Sequence, residues 1–289
     1  MSRIQNMSRR GREWVDRQDP ATPTGVGIGA WRRYRAVDGP LQSALLSLYV
    51  LVAVLPALLV LEAYLDSRPG ALADHLVRHY RLSHATAGLL RSVLQQGRVH
   101  ELGAALLAIA GALVFGLGFG RVLQLVHARA WGLELPARQT DFALYAVVLL
   151  GVYGLILLLL FQVKELRDSP SWLGNVLALG WLGLLVLFFV WAPRLLTHKR
   201  IGRRDLVPGA VLSALGLVVL MVVSSYVMEF WVDLYARDYG GFGIVLAIYF
   251  WLAIGSATIV WAASISPALA ERRDLRRGPV DDAGDSVPS

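Results

Sequence analysis

The sequence predicts an all-α membrane protein: a polytopic membrane helical bundle with six transmembrane helices, plus amphipathic helices in the first external loop. Three observations carry this. Six stretches, Leu41–Leu61, Leu102–Gly120, Phe142–Phe161, Leu173–Ala192, Val207–Met228 and Phe242–Ile265, each match the ~20 residues a helix needs to cross a ~30 Å hydrocarbon core. None contains Lys or Arg, and none has an ionisable group near its centre, where a charge costs a few kcal/mol to insert. Hydrophobic residues make up 56% of the 289, and the mean hydropathy is +0.53, far above that of a soluble domain. Helices follow because lipid offers the backbone no hydrogen-bond partner.

Along the chain, residues 1–30 mix Arg, Gly, Thr and Pro without apolar periodicity and read as a disordered basic tail. Residues 31–270 form the six-span membrane domain, and residues 271–289 a second disordered tail. The first span begins some forty residues in and is too long for a cleaved signal peptide, so it acts as an anchor. Pro56 interrupts it and predicts a kink, which serves either packing or a cavity lined by a freed carbonyl.

The first external connection carries Leu72, Leu76 and Tyr80 at helical spacing, then Ser83 as a cap for a second amphipathic helix ending near Gly97. The second span is crowded with glycine. Gly116 and Gly120 stand four apart, a spacing that lets two membrane helices approach closely. The fifth span has the most polar interior candidates, Ser213, Ser224 and Tyr226. They can line a polar pathway, although serine also back-bonds its own helix at no cost.

Basic residues orient the bundle. Twenty of the 28 Lys and Arg fall on the side that holds both termini and eight on the other, so both tails are cytoplasmic. The net charge of +7 is therefore an orientation signal and an attraction to anionic headgroups; nucleic acid is not an expected partner.

Several chemistries are excluded. There is no cysteine, so disulfides, thiolate metal sites and cysteine nucleophiles are absent. No HExxH, GxSxG or P-loop occurs, and a serine nucleophile in the fifth span has no His or Lys at its depth. His75 and His79 lie one helical turn apart but lack a third fixed ligand, so no metal and no cofactor is expected. The chain does not read as an enzyme.

Three local patterns then suggest a family. They are Leu45-Leu46-Ser47-Leu48-Tyr49 leading to Pro56, Arg204-Asp205-Leu206-Val207-Pro208-Gly209-Ala210 entering the fifth span, and Tyr239-Gly240-Gly241-Phe242-Gly243 opening the sixth with Trp251 beyond. With these, the chain resembles the YihY / virulence factor BrkB family of bacterial inner-membrane proteins. The resemblance implies a multi-pass protein of the bacterial plasma (inner) membrane, with a transport or envelope-lipid role. Where many members end the sixth span Gly-Ala-Glu, this chain has Ala262-Ala263-Ser264. Some relatives carry a ribonuclease label, which no carboxylate cluster here supports.

Together these readings assign a substrate pathway to Tyr49, Pro56, Ser213, Ser224, Tyr226, Tyr239 and Gly240, and helix packing to Gly116 and Gly120. The expected function is to translocate or hold a lipid-like or amphipathic molecule. No Asp, Glu or His lies deep in a predicted span, where an ion-coupled pump usually carries one. The alternative is a non-transporting scaffold for an envelope protein assembly. The expected partners are membrane lipids, a lipid-like substrate and further copies of the chain as a homo-oligomer.

Overall fold

The structure, a computed structural model, describes residues 22–65, 88, 117–134, 141–152, 155 and 171–277. Among these residues there is helix and turn but no strand.

The first helix, α1 (Pro23–Ala36), starts where Thr22 caps it: the Gly25 N–H donates to Thr22 Oγ1 at 3.1 Å, and Pro23 occupies the first turn. Residues 23–30 are thus helical, which corrects the disordered tail expected there. Composition misled because α1 is held by tertiary contacts. Trp31 and Tyr34 pack edge-on against Trp261, with centroids 6.1 and 5.4 Å away. A turn through Asp38, which has φ of 55°, leads into α2 (Gly39–Leu65). This helix covers the first predicted span and continues unbroken through the position of Pro56.

Helical residues 117–130 form α3. The predicted span stops at Gly120, yet the helix runs ten residues further because Val122, Leu123, Val126 and Ala130 are buried in the core. Its end is a Schellman motif, with Gly132 at φ 62° and Leu133 N–H donating to Ala128 O at 2.8 Å. Asp141–Val152 is α4, Ser171–Leu196 is α5, Arg203–Tyr239 is α6 and Gly241–Arg277 is α7. At 37 residues, α6 and α7 are each about 55 Å long, more than a hydrocarbon core requires. Since α7 persists to Arg277, residues 271–277 are helical and not part of a disordered tail. Ion pairs from Glu271 and Arg273 hold that last stretch to α1 and α6.

Three described helices are long and apolar enough to cross a membrane: Leu179–Leu196 in α5, Arg203–Ser224 in α6 and Val245–Arg276 in α7. Shorter apolar helices cover Gly39–Val52 and Asp141–Val152. The remaining parts of the second and third predicted spans, Gly116, and the amphipathic helices of the first external loop with His75 and His79 lie outside the described residues.

α7 packs along α6 and α2 and also meets α1, and α5 packs on α6. In lipid such contacts are driven by close fit, so small residues mark the seams. On α6, a β-carbon at Gly209 would overlap Ser266 Oγ, and one at Gly216 would overlap Thr258. Gly120 lies against the Tyr145 backbone, where an added β-carbon would be 2.9 Å from its Cα, so α3 and α4 touch there. One core joins the helices, with Leu46, Leu123, Val148, Phe188, Leu196 and Val260 at its centre.

The order of contacts shows which helix ends share a face. Arg129 near the end of α3 pairs with Asp38 before α2 at 3.4 Å. His198 after α5 meets Asp141 at the start of α4 at 3.0 Å. Arg273 near the end of α7 reaches Asp205 at the start of α6 at 2.8 Å. Successive helices therefore alternate in direction, and one end of the bundle collects the starts of α2, α4 and α6 with the ends of α3, α5 and α7.

Candidate functional site

That shared end carries the site. Arg194 lies in the last turn of α5, Arg203 and Arg204 in the first turn of α6, and Arg273 and Asp274 near the end of α7. Trp131 closes α3, and Arg33 projects from α1. Between them is a cleft in two compartments. The larger, about 850 Å³, is lined by Arg33, Arg129, Trp131, Pro267, Glu271 and Leu275, among others. The smaller, about 560 Å³, is lined by Arg194, Gly202, Arg203, Arg204, Asp205 and Arg273, among others. Trp131, Ala270 and Asp274 belong to both and form the sill between them.

Two ion pairs set the walls. Arg33 Nη2 is 2.7 Å from Glu271 Oε2, holding α1 to α7, and Arg273 Nη2 is 2.8 Å from Asp205 Oδ1, holding α7 to α6. Both pairs are partly solvated and contribute position more than stability, about 0–1 kcal/mol each. Arg194, Arg203 and Arg204 have no carboxylate partner among the described residues, so the smaller compartment is net positive.

Behind the cleft runs a buried polar seam. Tyr145 O–H donates to Gln124 Oε1, and Gln124 Nε2 donates to the Leu196 carbonyl at 2.8 Å, so one side chain joins α4, α3 and the open end of α5. His127, seven residues beyond the apolar window of its helix, shares a 2.9 Å hydrogen bond with Leu123 O through Nδ1. Burial lowers its pKa to about 4, only partly offset by that backbone bond, so the imidazole is neutral at pH 7. His127, Gly209, Ser213 and Ser266 surround a void of about 10 Å³, room for about one water. Ser266 Oγ accepts from the Gly209 N–H at 2.8 Å, and Ser264, fully buried, donates to Val260 O at 3.0 Å.

The residues assigned to a pathway from sequence are dispersed. Tyr49 lays its ring over Gly118 on α3. Ser213 is buried beside the void, whereas Tyr226, about 20 Å further along α6, is 81% exposed. Ser224 is half-buried between them. Tyr226 flanks a surface groove of about 350 Å³ with Phe230, Asp233 and Arg237. Tyr239 is exposed and stacks on Tyr235 at 6.4 Å. Gly240 makes the α6–α7 corner at φ 60°, a conformation that needs glycine. Pro56 lies within α2. The described residues hold no group of three or more His, Cys, Asp or Glu able to bind a metal.

A family model described as virulence factor BrkB matches residues 30–285. The chain belongs to the virulence factor BrkB family. No curated protein and no solved structure shows significant similarity to it. Its membership and its long apolar helices make it a membrane protein.

In this BrkB-family chain the cleft arginines were visible in the sequence only as orientation charges. Their convergence is a product of the alternating helix directions. Gln124 and His127 carried a readable signal: with Gly120 and Trp131 they fall at helical spacing and continue the inward face of the second span past its apolar window.

Proposed function

We propose that this BrkB-family membrane protein holds or translocates a lipid-like, amphipathic molecule at the cytoplasmic side of a bacterial inner membrane, with both tails inside. One observation carries the reading. The cleft mixes charge and apolar surface. In the smaller compartment Arg194, Arg203 and Arg204 lack carboxylate partners among the described residues, and the larger sets Trp131, Pro267, Ala270 and Leu275 beside Arg129 and the Arg33–Glu271 pair. A molecule with an acidic head and an apolar body matches that division. α5, α6 and α7 carry no Asp, Glu, Lys, Arg or His between Ser171 and Pro193, Leu206 and Met228, or Gly241 and Ala270. His127 of α3 faces α6 and α7 beside Ser213 and Ser266, but burial keeps it neutral, so the reading is simple retention or movement down a gradient. No catalytic step and no cofactor is assigned.

The test is reconstitution into liposomes that contain a fluorescent lipid quenchable from outside. Protein-containing vesicles should lose the protected fraction of fluorescence faster than empty ones. Identical traces, together with no lipid retained through purification, would remove both translocation and holding.

The scaffold reading has its own support at the opposite end of α6 and α7. Tyr226, Phe230, Tyr239 and Phe242 are all well exposed there, a set of aromatic anchors a partner protein can cover. Photocrosslinking from position 239 that captures only lipid would dismiss it.

A further inference from the structure

We infer that the smaller cleft compartment binds the phosphate group of a phosphate ester through Arg194, Arg203 and Arg204; this rests on the amphiphile reading above and names the head group. The argument begins with the arginines. Topology alone gathers the orientation charges at this end of the bundle, and exposed Arg35 and Arg276 stand there outside the cleft. Arg194, Arg203 and Arg204 instead come from two different helices to line one cavity. Guanidinium groups are planar forks that match phosphate oxygens in pairs, and three of them can engage a tetrahedral anion from several sides.

The walls fix the ligand's charge and size. Asp205 is occupied by Arg273, and its carboxylate folds back over Gly202, where an added β-carbon would stand 2.7 Å from Oδ2. It therefore braces the wall and does not neutralise the other three arginines. Asp274 on the sill opposes a second acidic group at that point, so the charge belongs in the small compartment and an uncharged or apolar portion crosses the sill. Beyond the sill, Trp131, Ala130, Pro267 and Leu275 offer apolar surface to the rest of the molecule, beside Arg129 and the paired Arg33 and Glu271. A phosphate diester or monoester places its anion among Arg194, Arg203 and Arg204 and its apolar body against Trp131, Pro267 and Leu275. The quaternary ammonium of a zwitterionic head is opposed by those three arginines and drawn only to Asp274, so such a head binds less tightly.

The phosphate can come from a lipid head or from a soluble ester, and the experiment separates them. The full chain, purified in a non-ionic detergent, is titrated with dioctanoyl phosphatidic acid, dioctanoyl phosphatidylcholine and sodium phosphate, with heat of binding as the readout. Phosphatidic acid should bind at least tenfold more tightly than phosphatidylcholine. The double variant Arg203→Gln/Arg204→Gln should lose that preference, and Arg35→Gln should keep it. These arginines are exposed, so an unchanged melting temperature without ligand will show that the variants fold. Sodium phosphate binding as tightly as the lipid, and lost in the same double variant, would keep the phosphate site while overturning the lipid-like ligand. Equal loss in Arg35→Gln, or no preference over phosphatidylcholine, would overturn the site itself. Lipid movement in liposomes that persists in the double variant would leave the amphiphile reading standing without it.

Discussion

His198 Nε2 lies 3.0 Å from Asp141 Oδ1 and ties the turn after α5 to the first residue of α4. The turn is a Schellman motif: His198 N–H donates to Leu195 O at 3.1 Å and Lys199 N–H to Arg194 O at 2.8 Å. Glycine usually fills its left-handed position. Here His198 and Lys199 take φ of 53° and 62°, a conformation that costs L-residues about 1–2 kcal/mol each. The Asp141 contact helps hold that strained turn in the wall of the cleft, since Arg194 is in its first hydrogen-bonded ring.

Asp141→Ala should therefore destabilise the protein. The Asp141 side chain is only 5% exposed, but Oδ1 and Nε2 meet at ion-pair distance without a hydrogen bond, so a loss of about 1 kcal/mol is expected. Asp141→Asn, which keeps the size of the side chain, should lose less. Thermal unfolding in detergent checks the order. An unchanged midpoint for Asp141→Ala would mean that the backbone bonds hold the turn alone.

Glycine substitutions should divide by location. A β-carbon at Gly209 would stand 2.8 Å from the Ala262 carbonyl, which is backbone and cannot rotate away. Gly209→Ala must then push α6 from α7, at a cost of about 1–3 kcal/mol. At Gly183, on α5, nothing lies within 4 Å. Gly183→Ala should be neutral or gain up to ~1 kcal/mol from helix propensity. Melting temperatures of the two variants, measured side by side, decide whether the α6–α7 seam is as tight as its small residues imply.

The helices were legible because apolar length and the absence of charge are one-dimensional properties, readable without knowing any neighbour. α5, α6 and α7 enclose their predicted spans for that reason. The cleft was not legible, because Arg194 and Arg203 look identical in sequence to Arg35, and only the packing of α5 on α6 distinguishes a cavity wall from a solvated end. The α6–α7 seam was missed for a related cause. Gly209 and Gly216 are seven apart and do not make a GxxxG spacing, and their partners Ser266 and Thr258 sit on another helix. Thr22 and Pro23 did mark the start of α1, but the low apolar content of residues 1–30 outweighed that local cap.

His127 should give the protein a pH-dependent stability. Its folded pKa is lowered from 6.5 to about 4, chiefly by burial. Above 6.5 both folded and unfolded chains hold it neutral, and its burial carries no protonation penalty. As pH falls from 6.5 toward 4 the unfolded chain takes up a proton that the folded one refuses, so stability declines with a slope of up to ~1.4 kcal/mol per pH unit. The melting temperature should thus drop between pH 7.5 and pH 5.0. His127→Gln should show a smaller drop over the same interval. Equal drops in both proteins would place the titration elsewhere.

The absence of cysteine permits a direct reading of helix direction. α6 extends about 55 Å from its start beside the cleft to Tyr239. Arg200, just before it, donates to Glu134 O at 3.0 Å, and Arg237 lies in its last turn. If α6 crosses the bilayer, those two positions face opposite compartments. Arg200→Cys and Arg276→Cys should be labelled by a membrane-impermeant maleimide only in inverted vesicles, because α7 returns its end to the cleft face. Arg237→Cys should be labelled only in right-side-out vesicles. All three arginines are exposed, so replacing them should not disturb packing. Labelling of positions 200 and 237 from the same side would show that α6 lies along the surface, and the cleft would then no longer be confined to one face of the membrane.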